Sequence, residues 1–459
     1  MNKARAFALV LAIVIGVGLQ AAVPSAIAIK DARVVTVSGA ELARGTVLLR
    51  GGLIQDVGTD LAIPADAWVI DGKGLTVYPG FTDALSTWGI PEAAGAANAA
   101  GARGATAAQA PAAQATQPRV HGPEDRPQTY AFERAADLVK PQDHRLESVR
   151  SAGFTTAATF PSRGIVTGLG AMVSLGGERG RAMVIDPSIG TQINLRTGGF
   201  RAGFPDSLMG VLAYVRQLNL DEQHYRVAEQ LYASQETGTR RPEYDHDLEA
   251  LLKSPRLLLP AVEAQQIDRM LNFGAELKSP YVLYGLHEAY RRIDELKSAN
   301  LPVLISLKWP NKPKDADPAD VPDYRTLEMR DKAPGVPGLL AKAQVKFAFY
   351  SDGVDTGPDL KKAIKKAIDA GLSESDAIRA LTLSPAEIYG VSNRLGSIDK
   401  GKIANLVVIK GDAFDDTGKV EYVFVDGAEM KPPEEPSAAA GGRRRNPEAN
   451  GSFDQGGEN

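Results

Sequence analysis

Two segments far apart in the chain share a two-residue alternation of β-branched and polar side chains. The first, residues 29–78, contains ARVVTVSG, GTVLLRGGLIQDVG and AWVIDGKGLTVYPG, and it breaks at Gly-Gly and Asp-Gly turns. The second, residues 401–430, contains ANLVVIKGD and VEYVFVDGAEM. Because a long segment of different character separates them, we expect one β domain, a composite β-sandwich, assembled from both chain ends.

The middle of the chain, residues 79–400, alternates apolar strand-like runs with amphipathic helical patterns. The runs that resemble strands are FTTAATF, RLLLPAV, YVLYGL, PVLISL and KFAFYSDG. The stretch DLKKAIKKAIDAG predicts a helix that ends at Gly371, and Ser373 and Ser384 are expected N-caps of the two helices that follow. Repeated strand–helix units favour an α/β fold, a (β/α)₈ TIM-like barrel, with an open doubly wound sheet as the alternative. No glycine-rich phosphate loop follows a strand, which argues against nucleotide binding.

Composition excludes several classes of protein. The chain has 459 residues, 44% of them hydrophobic, and a formal net charge of −4, which is typical of a soluble globular protein and argues against nucleic acid as a partner. It has no cysteine, so disulfides, thiolate metal sites and a lipoprotein anchor are excluded. The basic run Arg443–Arg445 lies in a polar tail and is interpreted as a solvated segment.

The first 28 residues have the pattern of a signal peptide. Lys3 and Arg5 precede the apolar stretch AFALVLAIVIGVGL, and Ala26-Ile27-Ala28 provides a small-x-small cleavage site. We expect cleavage before Ile29 and a protein that is exported, periplasmic or secreted, and free of the membrane after cleavage. An uncleaved anchor is the alternative.

Two further segments lack the apolar periodicity of a folded element. Residues 93–118 are an alanine-, glycine-, glutamine- and proline-rich low-complexity insertion, and residues 431–459 form a polar tail. Both are predicted to be disordered.

Taken together, the ordered motifs resemble the metal-dependent amidohydrolase superfamily, and most closely its imidazolonepropionase-like members. The resemblance extends from about residue 29 to 430. Its N-terminal motifs are GTVLLRGGLIQDVG, VIDGKGLTVYPGFTD and SAGFTTAATFPSRGIVTGLGAMVSL, and its C-terminal motifs are FAFYSDG, ALTLSPAEIYGV and LGSIDKGKIANLVVIKGD. The resemblance implies a (β/α)₈ barrel with a composite β-sandwich, and hydrolysis of a non-peptide carbon–nitrogen bond by water bound to a divalent metal such as zinc.

The positions that match the family's metal ligands carry other residues. Leu85 and Thr87 occupy the positions of the two histidines that end the first barrel strand. The fifth strand ends near Ala261, Val262 and Glu263, and the sixth has Gly285 at its histidine position. A zinc site needs three or four converging nitrogen, oxygen or sulfur ligands, so we expect no bound metal cofactor. The resemblance assigns a catalytic role only to Asp352, which in active relatives binds the metal and shuttles the proton of the attacking water.

Four other residues follow strand-like runs and are candidates for substrate binding: His287, Lys308, Glu263 and Trp309. Because strand ends of a parallel barrel converge, we expect a polar pocket with Asp352 paired to Lys308, in which Lys308 replaces the charge of the metal. For His287 and Glu263 a structural role is the alternative, and for Trp309 packing is the favoured interpretation. His144, His224 and His246 are interpreted as surface residues of helices, and His121 lies beside the low-complexity insertion.

Two functions of different classes therefore remain. The first is an exported hydrolase of non-peptide carbon–nitrogen bonds with a degenerate metal site. The second is a metal-free pseudoenzyme that binds a small molecule or serves as a partner subunit. Expected partners are a small-molecule ligand and either a second copy of the chain or an intact amidohydrolase, but not nucleic acid.

Overall fold

The structure is a computed structural model that describes residues 26–91, 123–197, 204–235, 237–312, 317, 321–415 and 417–430. Most of the predicted signal segment (residues 1–25), the low-complexity insertion, His121, Arg443–Arg445 and the tail lie outside these residues. Within them, none of the helices combines the length and the apolar character that crossing a bilayer requires.

The described residues form two large sheets and a set of helices. The strands are β1 (Ala26–Val34), β2 (Leu42–Arg50), β3 (Leu53–Gly58), β4 (Ala67–Asp71), β5 (Leu75–Pro79), β6 (Phe81–Ser86), β7 (Phe154–Thr159), β8 (Val166–Ser174), β9 (Val184–Ile193), β10 (Leu257–Ala261), β11 (Tyr281–Gly285), β12 (Val303–Ser306), β13 (Phe347–Tyr350), β14 (Leu406–Lys410), β15 (Lys419–Val425) and β16 (Ala428–Met430). The α-helices are α1 (Ala135–Leu138), α2 (Arg145–Ser151), α3 (Gly180–Met183), α4 (Leu208–Ala233), α5 (His246–Leu252), α6 (Ala264–Leu277), α7 (Ile293–Ala299), α8 (Tyr324–Lys332), α9 (Val336–Lys342), α10 (Gly357–Asp369), α11 (Glu374–Leu381) and α12 (Leu383–Tyr389).

The first sheet contains strands from both ends of the chain. Its order is β16-β15-β14-β5-β1-β2-β3, and β4 pairs with β1. The two chain ends meet where β5 and β14 pair in antiparallel register, from Leu406 opposite Pro79 to Lys410 opposite Leu75. Side chains from both ends, among them Val77, Val408 and Phe424, share one buried cluster. The prediction that both chain ends build one β domain is therefore confirmed.

Strand β1 begins inside the predicted cleavage site. Ala26–Ala28 pairs with Leu48–Arg50 of β2 on one side and with Ala67–Val69 of β4 on the other. All three residues of the cleavage motif are buried. Cleavage before Ile29 would therefore remove the first three residues of a paired strand.

The second sheet is a nearly closed barrel in the order β13-β12-β11-β10-β9-β8-β7-β6. Its first and last strands approach each other where the Ser351 amide donates to the Asp83 carboxylate at 3.0 Å. The strands are parallel except β8, which pairs antiparallel with both β7 and β9. Residues 160–165, which join β7 to β8, are too few for a helical crossover, so the chain turns back as a hairpin. The α/β barrel with a second sheet domain is confirmed, with one strand reversed.

The helices of the barrel follow the predicted patterns with one exception. In α10, Leu360 and Ile364 are buried, and Ser373 caps α11 by accepting a hydrogen bond from the Asp376 amide. The expected cap at Ser384 is wrong, because α12 already begins at Leu383 and Thr382 precedes it as the N-cap residue. Helices α11 and α12 pack against β13 and β6, whereas α10 packs against α2 and α9.

Candidate active site at the barrel mouth

The end of the first barrel strand carries apolar packing where the family carries metal ligands. Leu85 is 5% exposed and belongs to the buried cluster that fills the barrel interior, together with Leu258, Val282 and Leu304. Gly285 and Ala261, at the ends of β11 and β10, offer no ligand atom in their side chains. The Leu85 side chain stabilises the barrel by its burial, and like Gly285 and Ala261 it offers no lone pair to a cation.

Thr87 occupies the second of the two histidine positions that follow the first barrel strand, and its side chain is bound by an arginine. The Arg145 guanidinium donates through Nη1 to the Thr87 hydroxyl at 2.9 Å, and through Nη2 to the carbonyls of Thr87 and Ile90. Its charge is balanced by Asp143, whose Oδ2 lies 2.7 Å from Nη2 and also accepts from the Gly89 amide. Arg145 is 6% exposed. A buried ion pair therefore joins the loop after β6 to the start of α2.

Asp83, the third residue of strand β6, places a carboxylate inside the barrel. Asp83 accepts hydrogen bonds at Oδ1 from the amides of Leu85 and Ser351, whereas its Oδ2 is buried without a partner among the described residues. Burial raises the pKa of Asp83 to about 7, although the hydrogen bonds from Ser351 and Leu85 favour its charged form. The sequence did not single out Asp83, because the burial of one polar strand residue leaves no local pattern.

Asp352 follows β13 and is exposed at the mouth of the barrel. It adopts a left-handed backbone conformation with φ of 51°, and its Oδ2 accepts a hydrogen bond from the Ser306 hydroxyl at 2.8 Å. The expected ion pair with Lys308 is wrong. The Lys308 side chain is exposed, and only its backbone amide approaches this group, where it donates to the Ser306 hydroxyl at 3.1 Å. Because Asp352 is solvated, it needs no buried counter-charge.

His287 lies beside Asp352 and Ser306. It is 9% exposed, and its Nε2 has no hydrogen-bond partner among the described residues. Burial lowers the pKa of the imidazole, while the Asp352 charge and a hydrogen bond with the Ser306 backbone oppose that shift, so the ring is neutral at pH 7. Its ring centroid is 6.2 Å from that of Trp309, which is buried and donates from its indole nitrogen to the Ala363 carbonyl. Trp309 therefore packs against His287, as the favoured interpretation of that residue proposed.

Glu263 lies in a different cluster. Its side chain takes part in a capping box with Gln266 at the start of α6, and its Oε2 accepts from Arg325 at 2.9 Å. The same Arg325 binds both oxygens of Glu288, which is almost fully buried and accepts from the Ala264 amide. Among the described residues, no hydrogen bond or ion pair connects Glu263 with Asp352, His287 or Lys308. The expectation of one pocket containing all four residues is therefore not supported, because helix capping fixes Glu263 elsewhere.

The residues at the mouth do not fit a catalytic divalent metal. Of the residues that the structure describes, the one group of three carboxylate or imidazole side chains with ligand atoms close enough is Asp245, His246 and Asp247, at the start of α5. There Asp245 already caps the helix and accepts from Arg126. At the mouth, Asp352 has His287 as a neighbour, but Leu85 and Thr87 complete no ligand set.

The mouth also differs from a serine hydrolase. Ser306, His287 and Asp352 are the residue types of a catalytic triad, but the Ser306 hydroxyl donates to Asp352 and not to His287. A carboxylate is a weaker base than the imidazole of a triad, so Ser306 lacks the partner that activates a catalytic serine. The three residues place an exposed carboxylate beside a neutral imidazole whose unpartnered nitrogen is buried, so a polar ligand must enter the space beside the ring to reach both groups. The other histidines lie on the surface as predicted, since His144, His224 and His246 are exposed.

Comparison with known proteins gives a consistent assignment. The sequence profile of the amidohydrolase family matches residues 288–430. An amidohydrolase of known structure from Thermotoga maritima is similar over 88% of this chain and 100% of its own, at 25% identity and a TM-score of 0.69. A Xaa-Pro dipeptidase, whose structure contains methionine in the active site, is similar over 89% of this chain and 100% of its own. Its identity of 16% and TM-score of 0.52 show the shared fold alone.

A curated relative matches a shorter region. An adenine deaminase of Moorella thermoacetica is 34% identical over 84 residues, which are 18% of this chain and 12% of the deaminase. The match spans only a small part of the length of that enzyme, so it carries no assignment of substrate. The family profile, the Thermotoga maritima structure and the barrel with its composite sheet together identify this chain as a member of the amidohydrolase superfamily.

Proposed function

We propose that this protein is a metal-free barrel of the amidohydrolase superfamily that binds a small polar molecule at its mouth. The observation that carries the proposal is the Arg145 guanidinium on the Thr87 hydroxyl, beside a Leu85 that is buried in the barrel core. Neither Leu85 nor Thr87 offers a nitrogen ligand, and the Thr87 hydroxyl is already bound by the guanidinium. Without a metal to lower its pKa to about 7, water stays protonated at neutral pH, so the family's nucleophile is not formed.

The ligand-binding part of the proposal rests on His287 and Asp352. The buried Nε2 of His287 has no hydrogen-bond partner among the described residues, which lowers the stability of the folded protein. A ligand that donates a hydrogen bond to this nitrogen would offset that desolvation penalty. Asp352 supplies a second acceptor at the same place, and Trp309 backs the histidine ring. A neutral compound with two N–H donors, such as a cyclic ureide, has the matching chemistry, and Lys308 at the rim is an exposed cation within the same loop.

A second candidate is a hydrolase of non-peptide carbon–nitrogen bonds that works without metal. Two carboxyl groups favour it: Asp352 is accessible, and the Asp83 pKa of about 7 suits proton transfer at neutral pH. Export is proposed for both candidates, and also for a role as partner subunit of an intact amidohydrolase, because the N-terminal residues resemble a signal peptide. N-terminal sequencing of the protein recovered outside the cytoplasm tests export and the position of cleavage.

The decisive experiment measures metal and ligand in the same purified sample. After dialysis, elemental analysis for zinc, nickel, manganese and iron should give far less than one metal ion per chain, before and after incubation with zinc. Calorimetric titration with hydantoin, a cyclic ureide, should show binding that His287→Phe removes. One tightly held metal ion per chain would overturn the metal-free assignment, and hydantoin turnover by the metal-free protein would favour the second candidate.

A further inference from the structure

A cleft of about 990 Å³ lies between the barrel and the composite sheet. Its barrel side is formed by α2 and α10, and its sheet side by β15, the loop that precedes it and the end of β16. The cleft is rich in cationic side chains, which are Arg150, Lys361, Lys362, Lys365, Lys366 and Lys419. Its acidic side chains are fewer: Glu147, Asp369, Asp415 and Glu421. The lining therefore has an excess of positive charge.

The acidic side chains leave most of these cations without a carboxylate. Lys365 forms ion pairs with both Asp369 and Asp415, and Lys419 forms one with Glu421. Four cations of the lining form no ion pair with a carboxylate among the described residues: Arg150, Lys361, Lys362 and Lys366. With six cations and four acids, the cleft can take up two further negative charges before it is neutral.

Two of the unpaired cations are half-buried, and among the described residues they bind only backbone carbonyls. Arg150 donates from Nη1 to the Leu175 carbonyl, and Lys361 donates from Nζ to the Gly418 carbonyl, each at 2.7 Å. Burial lowers the pKa of Arg150, and the charge of Glu147 opposes that shift. A carbonyl oxygen carries only a partial charge, so both cations can still stabilise an anion in the cleft.

The chain itself carries acidic residues next to the cleft. Strand β16 ends at Met430, which lines the cleft, and the sequence continues as KPPEEP, residues 431–436. The Met430 side chain approaches Gly176, which follows the Leu175 whose carbonyl Arg150 binds. The described part of the chain therefore ends beside one of the unpaired cations.

The segment is long enough to bring its carboxylates to the other cations. An extended proline-rich chain advances about 3.1 Å per residue, so Glu434 and Glu435 reach at most about 12–16 Å beyond Met430. The rise along α10 from Lys362 to Lys366 is only about 6 Å. Because Met430 and these lysines line the same cleft, both glutamates can lie within it.

From these observations we propose that residues 431–436 occupy the cleft of the same chain, with Glu434 and Glu435 as counter-charges of its unpaired cations. The two glutamates supply the two negative charges that the lining lacks, and Lys431 can extend its flexible side chain into water. The direct connection to Met430 gives the segment a high effective concentration, and its three prolines reduce the conformational entropy lost on binding. A free anion or a second chain has neither advantage. The disorder expected of the tail then applies to the residues beyond 436.

The contact should depend strongly on salt. Ion pairs at a protein surface are individually weak, so the segment is held by several of them together with its covalent connection. The distance over which charges interact falls from about 30 Å at 0.01 M ionic strength to about 3 Å at 1 M. The segment should therefore be bound at low ionic strength and released at high ionic strength.

The first test follows a spin label in the full chain. Because the sequence has no cysteine, Ser437→Cys carries a single label directly after the segment. Its electron paramagnetic resonance spectrum should show restricted motion at about 0.01 M salt, with a correlation time several-fold longer than at about 1 M. Glu434→Gln combined with Glu435→Gln should abolish the restriction. Glu448→Gln, the matched control in the same tail, should keep it.

The second test reverses charges in the cleft. Lys362 and Lys366 are exposed, so Lys362→Glu combined with Lys366→Glu should leave the fold intact and release the label. Adding Glu434→Lys and Glu435→Lys to this variant should restore part of the restriction, because the lining then has an excess of negative charge. Lys342→Glu, at an exposed position of α9, is the control and should have no effect.

Three outcomes would overturn the inference. The first is a label that is equally mobile in wild type and in the variant with both glutamines, or that stays restricted in that variant. The second is a restriction that weakens on dilution of the protein, because the segment would then belong to a second copy. The third is inorganic phosphate binding with equal affinity to wild type and to the same variant, which would assign the cleft to a free anion. Tighter phosphate binding by the variant supports the inference, since the segment no longer competes.

Discussion

Arg145 donates to the Thr87 hydroxyl at 2.9 Å, at a position where related amidohydrolases are expected to carry a metal-binding histidine. The arginine also holds two carbonyls of the following loop, and its carboxylate partner Asp143 accepts from the backbone of that loop. A buried ion pair thus adjoins a position where the family resemblance implies a metal ligand, and it gives the loop after the first barrel strand a fixed geometry.

Loss of the guanidinium should destabilise the protein. In Arg145→Met, the Asp143 carboxylate, 2% exposed, keeps its burial but loses its counter-charge. Removal of one partner of a buried pair costs about 3–5 kcal/mol, and urea denaturation would measure this loss. Arg134→Met is the control, because the Arg134–Asp137 pair is exposed and should contribute less than about 1 kcal/mol. Equal effects of the two substitutions would show that the buried pair has no special role.

The buried Asp83 should give the protein a distinct pH dependence. Its folded-state pKa of about 7 lies above the unfolded value of about 3.9, so the folded protein retains a proton that the unfolded chain releases. Stability from this group is complete below pH ~4 and is lost as the pH rises to about 7, at about 1.4 kcal/mol per pH unit. Asp83→Asn lacks this loss, so the difference in unfolding free energy between variant and wild type should rise over that interval. Denaturation at pH 5, 6, 7 and 8 would measure it, and a constant difference would contradict the buried carboxylate.

Asp352→Asn should leave stability nearly unchanged, within about 0.5 kcal/mol, as for other exposed positions. The reason is that Asp352 is solvated and bonded to Ser306, with no buried lysine that the substitution would leave unpaired. Thermal and urea denaturation would test this, with Ser306→Ala as the companion variant. A loss of several kcal/mol would mean that the carboxylate is a structural group.

His287→Phe should separate a ligand-binding histidine from a structural one. Because Nε2 lacks a partner among the described residues, a phenyl ring should fill the same space at no net cost, or raise the unfolding free energy by up to about 1 kcal/mol. Hydantoin binding should be lost at the same time. If the substitution instead lowered stability by more than about 2 kcal/mol, the bond with the Ser306 backbone would be the main role of His287.

The fold was readable from the sequence because its signals are local and periodic. The strands from Phe154, Leu257, Tyr281, Val303 and Phe347 occur where apolar runs predicted them. The reversal of β8 escaped prediction because its residues are buried on both faces, and burial on both faces is also the pattern of a parallel strand.

The site was harder, because its contacts join residues far apart in the sequence. His144 is exposed as predicted, but the adjacent Arg145, which the sequence did not single out, is buried and binds Thr87. Glu263 occupies a strand end as predicted, but helix capping and Arg325 hold it away from Asp352. The position of a residue at a strand end was thus predictable from the sequence. The direction of its side chain was not, because it depends on partners that are distant in the sequence.

The pairing of β5 with β14 has a consequence for how the chain acquires its structure during translation. Strands β1 to β5 are synthesised first, and the edge of β5 stays unpaired until the whole barrel has been synthesised and β14 follows it. An unpaired apolar edge is a template for pairing with other chains. The sheet is therefore completed only after Leu406–Lys410 has been synthesised, and until then the β5 edge is open to pairing with another chain.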